Sequence, residues 1–489
     1  MPSFAVACGV HDAQRAAACE TAARKIRELG LERVRVAWCD LHGVLRGKTL
    51  MPAAALDALH AGVGMVSTIL LKDTSDRTTY KVFEPGALDE LPGFGLANNL
   101  MLLPDPDSLR ELPWAQGTGW MRAQAWFADA TPVQVDPRRV LVTALERLAQ
   151  AGYGLRCGLE VEFHIYRIEY GTLDPYEADW PGEPPEVSMI HPGYNLLAEG
   201  WADLAEPALR IVQSTAQGLG LPLRSLEVEL GPSQVEAVFD ATDALTAADQ
   251  MVLFRNGVRQ ALRRAGYHAS FVCRPPFPNV MPSGWHLHQS LVRQGDGSNA
   301  FVRETPAPGS TSADALHTLS DVGAHWLAGL LAHARGAALF GTPTVNGFGR
   351  FKPNAMAPQS VLWGRDNRGA MLRVLGGAGD QGTRIENRVG EPMANPYLYI
   401  ASQIHCGLSG VQQRLQPGAA SDSPYAQGER LPAALGEALQ AFADDSVLCE
   451  AFGAPLVSLY TRVKRSELER HDAADDAEEW MRREYFSRF

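Results

Sequence analysis

The chain has 489 residues, 46% of them hydrophobic and 20% charged, which is the balance of a globular protein and, at this length, predicts two domains. The 44 basic and 56 acidic residues give a formal charge of −12 with no block of Lys and Arg, so a nucleic acid is excluded as the main partner. No run of about 18 apolar residues occurs, which excludes a membrane as a partner through a spanning helix.

The first predicted elements describe a small N-terminal domain. Residues 11–29 carry apolar side chains at spacings of three and four, which predicts a helix. Residues 33–40 alternate polar and apolar, and a turn joins this predicted strand to a returning one at 44–46. A further strand is predicted over 120–127. We place this domain at residues 1–130.

The elements that follow predict a larger domain, residues 131–489. Pro137 suits the first turn of a helix predicted to run to residue 151, and 158–166 is predicted to be a strand. At the far end, residues 466–488 are charged and amphipathic, which is typical of a helix with a solvated face.

The seven cysteines are scattered and form no CxxC pair. This arrangement argues against a disulfide framework or a thiolate zinc site and favours a reducing compartment. The N-terminal stretch MPSFAVACGVHDAQRAAACE lacks a basic region followed by a long apolar one, so it does not resemble a secretion signal. We predict a cytoplasmic protein.

Four predicted strands carry acidic or imidazole side chains on one face, because alternate residues of a strand share a face. The residues concerned are Glu160 and Glu162, then Glu229 and Glu236 on either side of a Gly-Pro step, then His286, then Glu386. Taken singly, each pattern is equally compatible with an exposed polar strand.

If the four faces converge, five carboxylates and a histidine share one cavity. Like charges at that separation cannot all stay ionised without cations, and hard divalent ions such as Mg²⁺ or Mn²⁺ suit oxygen ligands. Arginines near these strands (Arg350, Arg368, Arg373, Arg384 and Arg388) indicate an anion, although surface ion pairing would also explain them. Metal, arginines and acids together favour phosphoryl transfer.

Seven motifs, in this order, resemble those of the glutamine synthetase family: the Trp-x-Asp hairpin, GLEVEF, EVELGPSQVE, SGWHLHQS, NGFGRFKPNAMAP, WGRDNRGAMLR and RIENRVGEPMANPYL. The resemblance implies an α+β protein with a small β-grasp-like N-terminal domain. It implies a large C-terminal catalytic domain with a curved antiparallel sheet and helices. It also implies a homo-oligomer, a double-ring dodecamer with active sites between adjacent subunits.

The resemblance assigns roles to individual residues. It implies two or more Mg²⁺ or Mn²⁺ ions per site. One would be held by Glu162, Glu229 and Glu236, nearer the acid substrate and the amine, and one by Glu160, His286 and Glu386, at the ATP phosphates. It implies that His288, Ser290, Arg373 and Arg384 bind ATP. It further implies that Arg350 and Arg388 grip the acid substrate and that Arg368 faces the transferring phosphoryl group.

Three departures from the family pattern bear on the substrates. Ammonia-using members carry a Glu in the flap where this chain has Met356, and an apolar residue there is common in members that ligate organic amines. The family's usual Asn-Gly is replaced by Met281 and Pro282, with Trp285 before the metal histidine. The N-terminal loop that supplies an ammonium-binding Asp offers only Asp73 and Asp76, neither securely aligned. An alkyl amine or polyamine would need a base other than the flap Glu, and these two carboxylates are the candidates. We predict that Met281, Trp285 and Met356 line the substrate pocket. The alternative is that Met281 and Met356 are ordinary loop or core residues.

The predicted function is that of a γ-glutamyl-amine synthetase, similar to the γ-glutamylamide, polyamine and anilide types. Such an enzyme uses ATP and Mg²⁺ to join the γ-carboxylate of glutamate to an organic amine through a γ-glutamyl phosphate. The alternatives are an ammonia-dependent glutamine synthetase and a catalytically silent structural or regulatory member. The sequence leaves open the amine, the acid substrate, the subunit number and whether Tyr425 is a modification site.

Overall fold

The computed structural model describes residues 3–171, 174–351, 357–423 and 428–489. Its N-terminal part is a mixed sheet in the order β2-β1-β6-β4-β3, with β5 paired to β6; β1 and β6 run parallel and the other pairs antiparallel. The strands are β1 (Arg33–Cys39), β2 (Leu45–Leu50), β3 (Val63–Val66), β4 (Asn99–Pro104), β5 (Arg110–Glu111) and β6 (Thr118–Phe127). The helices are α1 (Phe4–Ala7), α2 (Ala13–Glu28) and α3 (Pro52–Ala61).

The second sheet has the order β13-β14-β15-β12-β7-β10-β9, and β8 and β11 pair with the distal half of β7. Its strands are β7 (Tyr153–Tyr170), β8 (Glu186–Met189), β9 (Leu223–Val228), β10 (Gln234–Asp243), β11 (Tyr267–Ser270), β12 (Trp285–Arg293), β13 (Trp363–Arg365), β14 (Leu372–Leu375) and β15 (Arg384–Asn387). All of its pairs are antiparallel except β13 with β14.

Ten helices of the described chain accompany the second sheet. They are α4 (Pro137–Gln150), α5 (Glu199–Gly218), α6 (Ala244–Arg264), α7 (Asp321–Ala332), α8 (Ala334–Gly341), α9 (Pro396–Gln413), α10 (Leu435–Asp444), α11 (Ser446–Phe452), α12 (Ala454–Asp472) and α13 (Ala477–Tyr485). Helix α9 is buried over nearly its whole length. Among the described helices, none has the length and apolar character that a membrane crossing requires.

Two buried polar residues join the N-terminal sheet to the rest of the chain. Asp136 accepts a hydrogen bond from Trp38 Nε1 of β1 at 2.9 Å, while its other oxygen accepts from the first backbone amides of α4. Arg255 of α6 donates to the carbonyl oxygen of Gly43, in the β1–β2 turn, at 3.0 Å, and to those of Pro392 and Ala394. These bonds fix the β1–β2 hairpin against the segment that follows β15.

The α+β class predicted from the sequence is confirmed, and the predicted helices and strands occur within a few residues of their expected bounds. The β-grasp-like form of the N-terminal part and the boundary at residue 130 stay predictions. All seven cysteines are free thiols.

The prediction for residues 466–488 is wrong in two respects. The stretch forms the end of α12 and a separate α13, and its Glu467 and Glu484 are fully buried. Charge periodicity predicts a solvated face, whereas these buried carboxylates have cationic partners: Lys464 lies 2.8 Å from Glu467, and Arg470 lies 2.6 Å from Glu484.

Candidate active site

The acidic side chains predicted from the sequence lie on one face of the second sheet. Strand register brings this about, since residues directly opposite each other in an antiparallel pair project to the same side. Glu236 of β10 is paired with Glu162 of β7, and His286 of β12 is paired with Glu160 of β7. One strand further along, Glu386 of β15 is paired with His288 of β12.

All six predicted metal ligands come together on this face. Their donor atoms form groups within 4.8 Å of one another: Glu162, Glu229 and Glu236; Glu160, Glu236 and His286; and Glu160, Glu386 and His288. The first group matches one predicted ligand set. The second predicted set is spread over the other two groups, with His288 beside Glu160 and Glu386.

Hydrogen bonds hold several of these side chains in place. The backbone amide of Gly284 donates to the Glu162 carboxylate at 2.5 Å. Nδ1 of His286 lies 3.4 Å from a Glu160 oxygen and 3.8 Å from a Glu386 oxygen. Nε2 of His288 lies 2.9 Å from the other Glu160 oxygen. The ligand candidates are therefore positioned by one another and by the strand backbone.

The electrostatics of the cluster indicate that its carboxyls cannot all stay ionised near pH 7 unless cations are bound. Burial raises the pKa of Glu236 to about 10, and the negative charges of Glu162 and Glu160 add to the effect. Burial likewise raises the pKa of Glu162 to about 7 and that of Glu229 above its ordinary value. Burial lowers the pKa of His286 to about 4, so its ring is neutral and able to bind a metal. Buried carboxylates with a neutral imidazole fit hard divalent cations such as Mg²⁺ and Mn²⁺.

Three of the predicted arginines contact the cluster at the β15 end. Arg373 Nη1 and Arg388 Nη1 lie 3.1 Å and 2.5 Å from the two oxygens of Glu386. Arg384 Nε donates to Nδ1 of His288 at 3.1 Å. This end of the site therefore combines carboxylates, including Asp366 paired with Arg373, with three guanidinium groups, the side chains that bind phosphate oxygens by paired hydrogen bonds.

The other two arginines lie differently. Arg350 is buried and donates to the carbonyl oxygens of Gly390 and Val389 at 2.9 and 3.3 Å. It packs against Gly284 so closely that a Cβ there would be 2.3 Å from Nη2, which explains the glycine in that position. The side chain of Arg368 is exposed, in the loop between β13 and β14.

The residues predicted for the substrate pocket do not all lie in the same part of the structure. Met281 is half-buried and close to Gly231, where a Cβ would approach that of Met281 to 2.9 Å. Trp285 is not brought into the site: it is paired with Val161 on the opposite face of the sheet and packs edge-to-face on Tyr399 at 5.1 Å. Ser290 is half-buried and shares the face of His288. Met356 and Tyr425 lie outside the described residues.

The two candidate bases of the N-terminal loop already have cationic partners. Asp73 is buried, with one oxygen 3.0 Å from Arg470, and Asp76 pairs with Lys72 and Arg46. These contacts argue against either carboxylate serving as a base.

One carboxylate was not singled out from the sequence. Glu227 of β9 is paired with Glu236 and therefore projects from the same face as the cluster. Its negative charge contributes to raising the pKa of both Glu229 and Glu236, after the larger effect of burial. The alternation of Glu227 with Glu229 in the sequence was a signal that could have identified it.

Comparison with known proteins places these features in context. The model of the glutamine synthetase catalytic domain matches residues 134–485. The chain is 37% identical over 494 residues to a γ-glutamylanilide synthase from Acinetobacter, covering 97% of both chains. It is 32% identical to a γ-glutamylethanolamide synthetase from Streptomyces coelicolor, covering 94% of this chain and 93% of the relative. A solved GmaS–ADP complex is similar with a TM-score of 0.75 and 26% identity, covering 94% of this chain and 98% of that one.

Proposed function

The chain belongs to the glutamine synthetase family, and from that premise we propose that it is an ATP-dependent ligase that joins glutamate to an organic amine. The reaction consumes glutamate, the amine and ATP and yields a γ-glutamylamide, ADP and phosphate. The observation that carries the proposal is the set of carboxylates, histidines and arginines on one sheet face, in a chain whose relatives are named as γ-glutamyl-amine synthetases.

We propose that the cluster binds two divalent metal ions. Glu162, Glu229 and Glu236 would hold one, and Glu160 and Glu386 with His286 would hold the other, with His288 close by. Bound there, the ions would supply positive charge to the carboxylate of glutamate and to the phosphates of ATP as the two anions approach.

The chain's own side chains have two tasks in this reaction. Arg373, Arg384 and Arg388, which contact Glu386 and His288, would orient phosphate and carboxylate oxygens, because guanidinium groups bind such oxygens by paired hydrogen bonds. The neutral ring of His286 can act as a ligand without adding a proton to the site. The γ-carboxylate attacks the terminal phosphorus of ATP, ADP leaves, and the amine then displaces phosphate from the acyl carbon.

The identity of the nucleophile is proposed from the flap sequence and the relatives. Met356 stands where ammonia-using members carry a Glu, and a methionine cannot accept the proton of an ammonium ion. An aryl amine is already neutral at pH 7 and needs no such base. The relatives' names, anilide and ethanolamide synthetases, favour an organic amine over ammonia.

The test is ADP release and product mass with glutamate, ATP, Mg²⁺ and a panel of aryl amines, alkyl amines and ammonia. We expect one or more organic amines to exceed ammonia in kcat/KM, and release to stop when the metal is chelated. Ammonia exceeding every amine would favour the ammonia-dependent alternative, for which Met356→Glu should raise ammonia use further. Absence of Mg·ATP binding would favour a catalytically silent member.

The proposal extends to assembly and location. We propose a double-ring dodecamer, which light scattering of the purified protein would measure directly. The requirement for ATP and the seven free thiols favour the cytoplasm, which fractionation of the source cells would test.

A further inference from the structure

A short loop with three exposed apolar side chains lies beside the turn that carries Glu229. The loop spans residues 190–198, between β8 and α5. Tyr194, Leu196 and Leu197 have 56, 53 and 59% of their surface exposed. Single exposed apolar residues are ordinary on protein surfaces, but three within four positions form an apolar patch, and such patches mark binding surfaces.

The loop is attached to the turn on both sides of Glu229. The backbone amide of Tyr194 donates to the carbonyl oxygen of Leu230 at 2.6 Å, and that of Leu197 donates to Val228 at 3.2 Å. Gly193, whose φ is +72°, packs so tightly against Pro232 that a Cβ there would be 2.3 Å from the proline nitrogen. The patch is therefore held at a fixed distance from one of the proposed metal ligands.

Two residues of the loop adopt backbone conformations that L-amino acids avoid. Tyr194 has a φ of 54° and Leu197 a φ of 56°. Side chains with a Cβ are disfavoured in this region, and such conformations persist where surrounding contacts enforce them. The phenolic oxygen of Tyr194 supplies one such contact by donating to the carbonyl oxygen of Asn279, two residues before Met281. The loop, the Glu229 turn and the Met281 segment thus form one rim.

We propose that Leu196 and Leu197 are specificity-determining residues that bind the apolar body of an aryl amine while its nitrogen approaches the Glu229 end of the site. This inference rests on the proposed ligase function and names the substrate class for it. The reasons are the position of the loop at the proposed nucleophile end, its exposed apolar surface and its enforced backbone.

Asparagine is the most informative replacement, because it is polar, close to leucine in size and more tolerant of positive φ. Leu196→Asn and Leu197→Asn should therefore remove the apolar surface while keeping the loop conformation. Leu204→Asn is the matched control, since Leu204 lies in α5 with a similar exposed fraction of 52%.

The experiment measures KM and kcat of the wild type and the three variants with aniline and with ethanolamine. We expect Leu196→Asn and Leu197→Asn, the two rim variants, each to raise the KM for aniline about tenfold. A loss of apolar contact of this size changes the selectivity of an enzyme between substrates by about that factor. The KM for ethanolamine and for glutamate should stay within about twofold, and the control should match the wild type.

Several outcomes would overturn the inference. Equal changes for both amines, no change for aniline, or a wild type that uses ethanolamine but not aniline would each do so. A rim variant that dissociates the oligomer, measured by light scattering, would assign the patch to contact with a second copy of this chain. A wild type that ligates no amine at all would instead refute the proposed function, and the inference with it.

Discussion

Replacement of Arg470 by methionine should destabilise the chain more than the loss of any exposed ion pair. Arg470 of α12 lies 3.0 Å from Asp73 and 2.6 Å from Glu484, two carboxylates with no exposed side-chain surface. Glu484 also accepts hydrogen bonds from the hydroxyls of Thr74 and Ser75. Through its contacts with Asp73 and Glu484, the guanidinium of Arg470 in α12 joins the N-terminal loop to α13.

The magnitude follows from the burial of the two acids. Removing one partner of a buried ion pair leaves an uncompensated charge and costs about 3 to 5 kcal/mol. Arg483→Met is the control, because Arg483 contacts Glu479 and Glu183 with 38% of its side chain exposed, and exposed pairs contribute about 0 to 1 kcal/mol. Equilibrium urea unfolding of both variants beside the wild type would measure the difference.

The pH dependence gives an independent check. In the wild type, burial would raise the pKa of Glu484, but the hydrogen bond and charge of Arg470 outweigh it and leave that pKa below its usual value. This carboxylate therefore adds stability above pH 4.5 that is lost as the pH falls. In the Arg470→Met variant the effect of burial is no longer outweighed, so the pKa of Glu484 should rise above its usual value. Protonation of Glu484 in acid then stabilises the folded variant.

The difference in the free energy of unfolding between the wild type and Arg470→Met should therefore become smaller as the pH is lowered from 8 to 5. A loss below about 1 kcal/mol, or a gap that widens in acid, would refute the account of a buried network.

Three further predictions concern other parts of the chain. Burial raises the pKa of Glu391 to about 8, so the folded chain keeps a proton that the unfolded chain loses between pH 4.5 and 8. The free energy of unfolding should therefore fall as the pH rises through this range. Glu391→Gln should remove up to about 4 kcal/mol of that fall, measured by urea unfolding at each pH. Gly329→Ala would put a Cβ 2.1 Å from a carbonyl oxygen of α9 and should cost about 1 to 3 kcal/mol in thermal unfolding, whereas Gly436→Ala, with 3.4 Å to its nearest neighbour, should be neutral or stabilising. Glu236→Gln should weaken Mn²⁺ binding at least about tenfold by calorimetry, and an unchanged affinity would argue against its role as a ligand.

The sequence predicted the acidic face correctly because period-two alternation is a local property. Glu160 and Glu162 are placed on one side by the strand itself, whatever the rest of the chain does. The meeting of Glu160 with His286, 126 positions later, depends on the order of strands in the sheet. Motif order supplied that information through the family resemblance, and periodicity could not have done so.

The predictions that the structure contradicts have physical causes that can be named. Its position next to His286 in the sequence predicts that Trp285 lines the substrate pocket, yet neighbours along a strand project to opposite faces, and Trp285 packs against α9. The charges of residues 466–488 alone predict a solvated face, whereas Arg470 in this stretch also pairs with Asp73, 397 positions away. A pairing of that range leaves no periodic trace in the sequence.

The division of the site between sheet and loops explains how one scaffold can serve different nucleophiles. The proposed metal ligands lie on or directly beside strands β7, β9, β10, β12 and β15, where a shift of one residue would turn every side chain to the wrong face. The rim at Leu196 and Leu197 lies in a loop attached by backbone hydrogen bonds, so its side chains can change without altering the register. Relatives named for anilide and for ethanolamide synthesis are therefore expected to share the acidic face with this chain and to differ at the positions of Leu196 and Leu197.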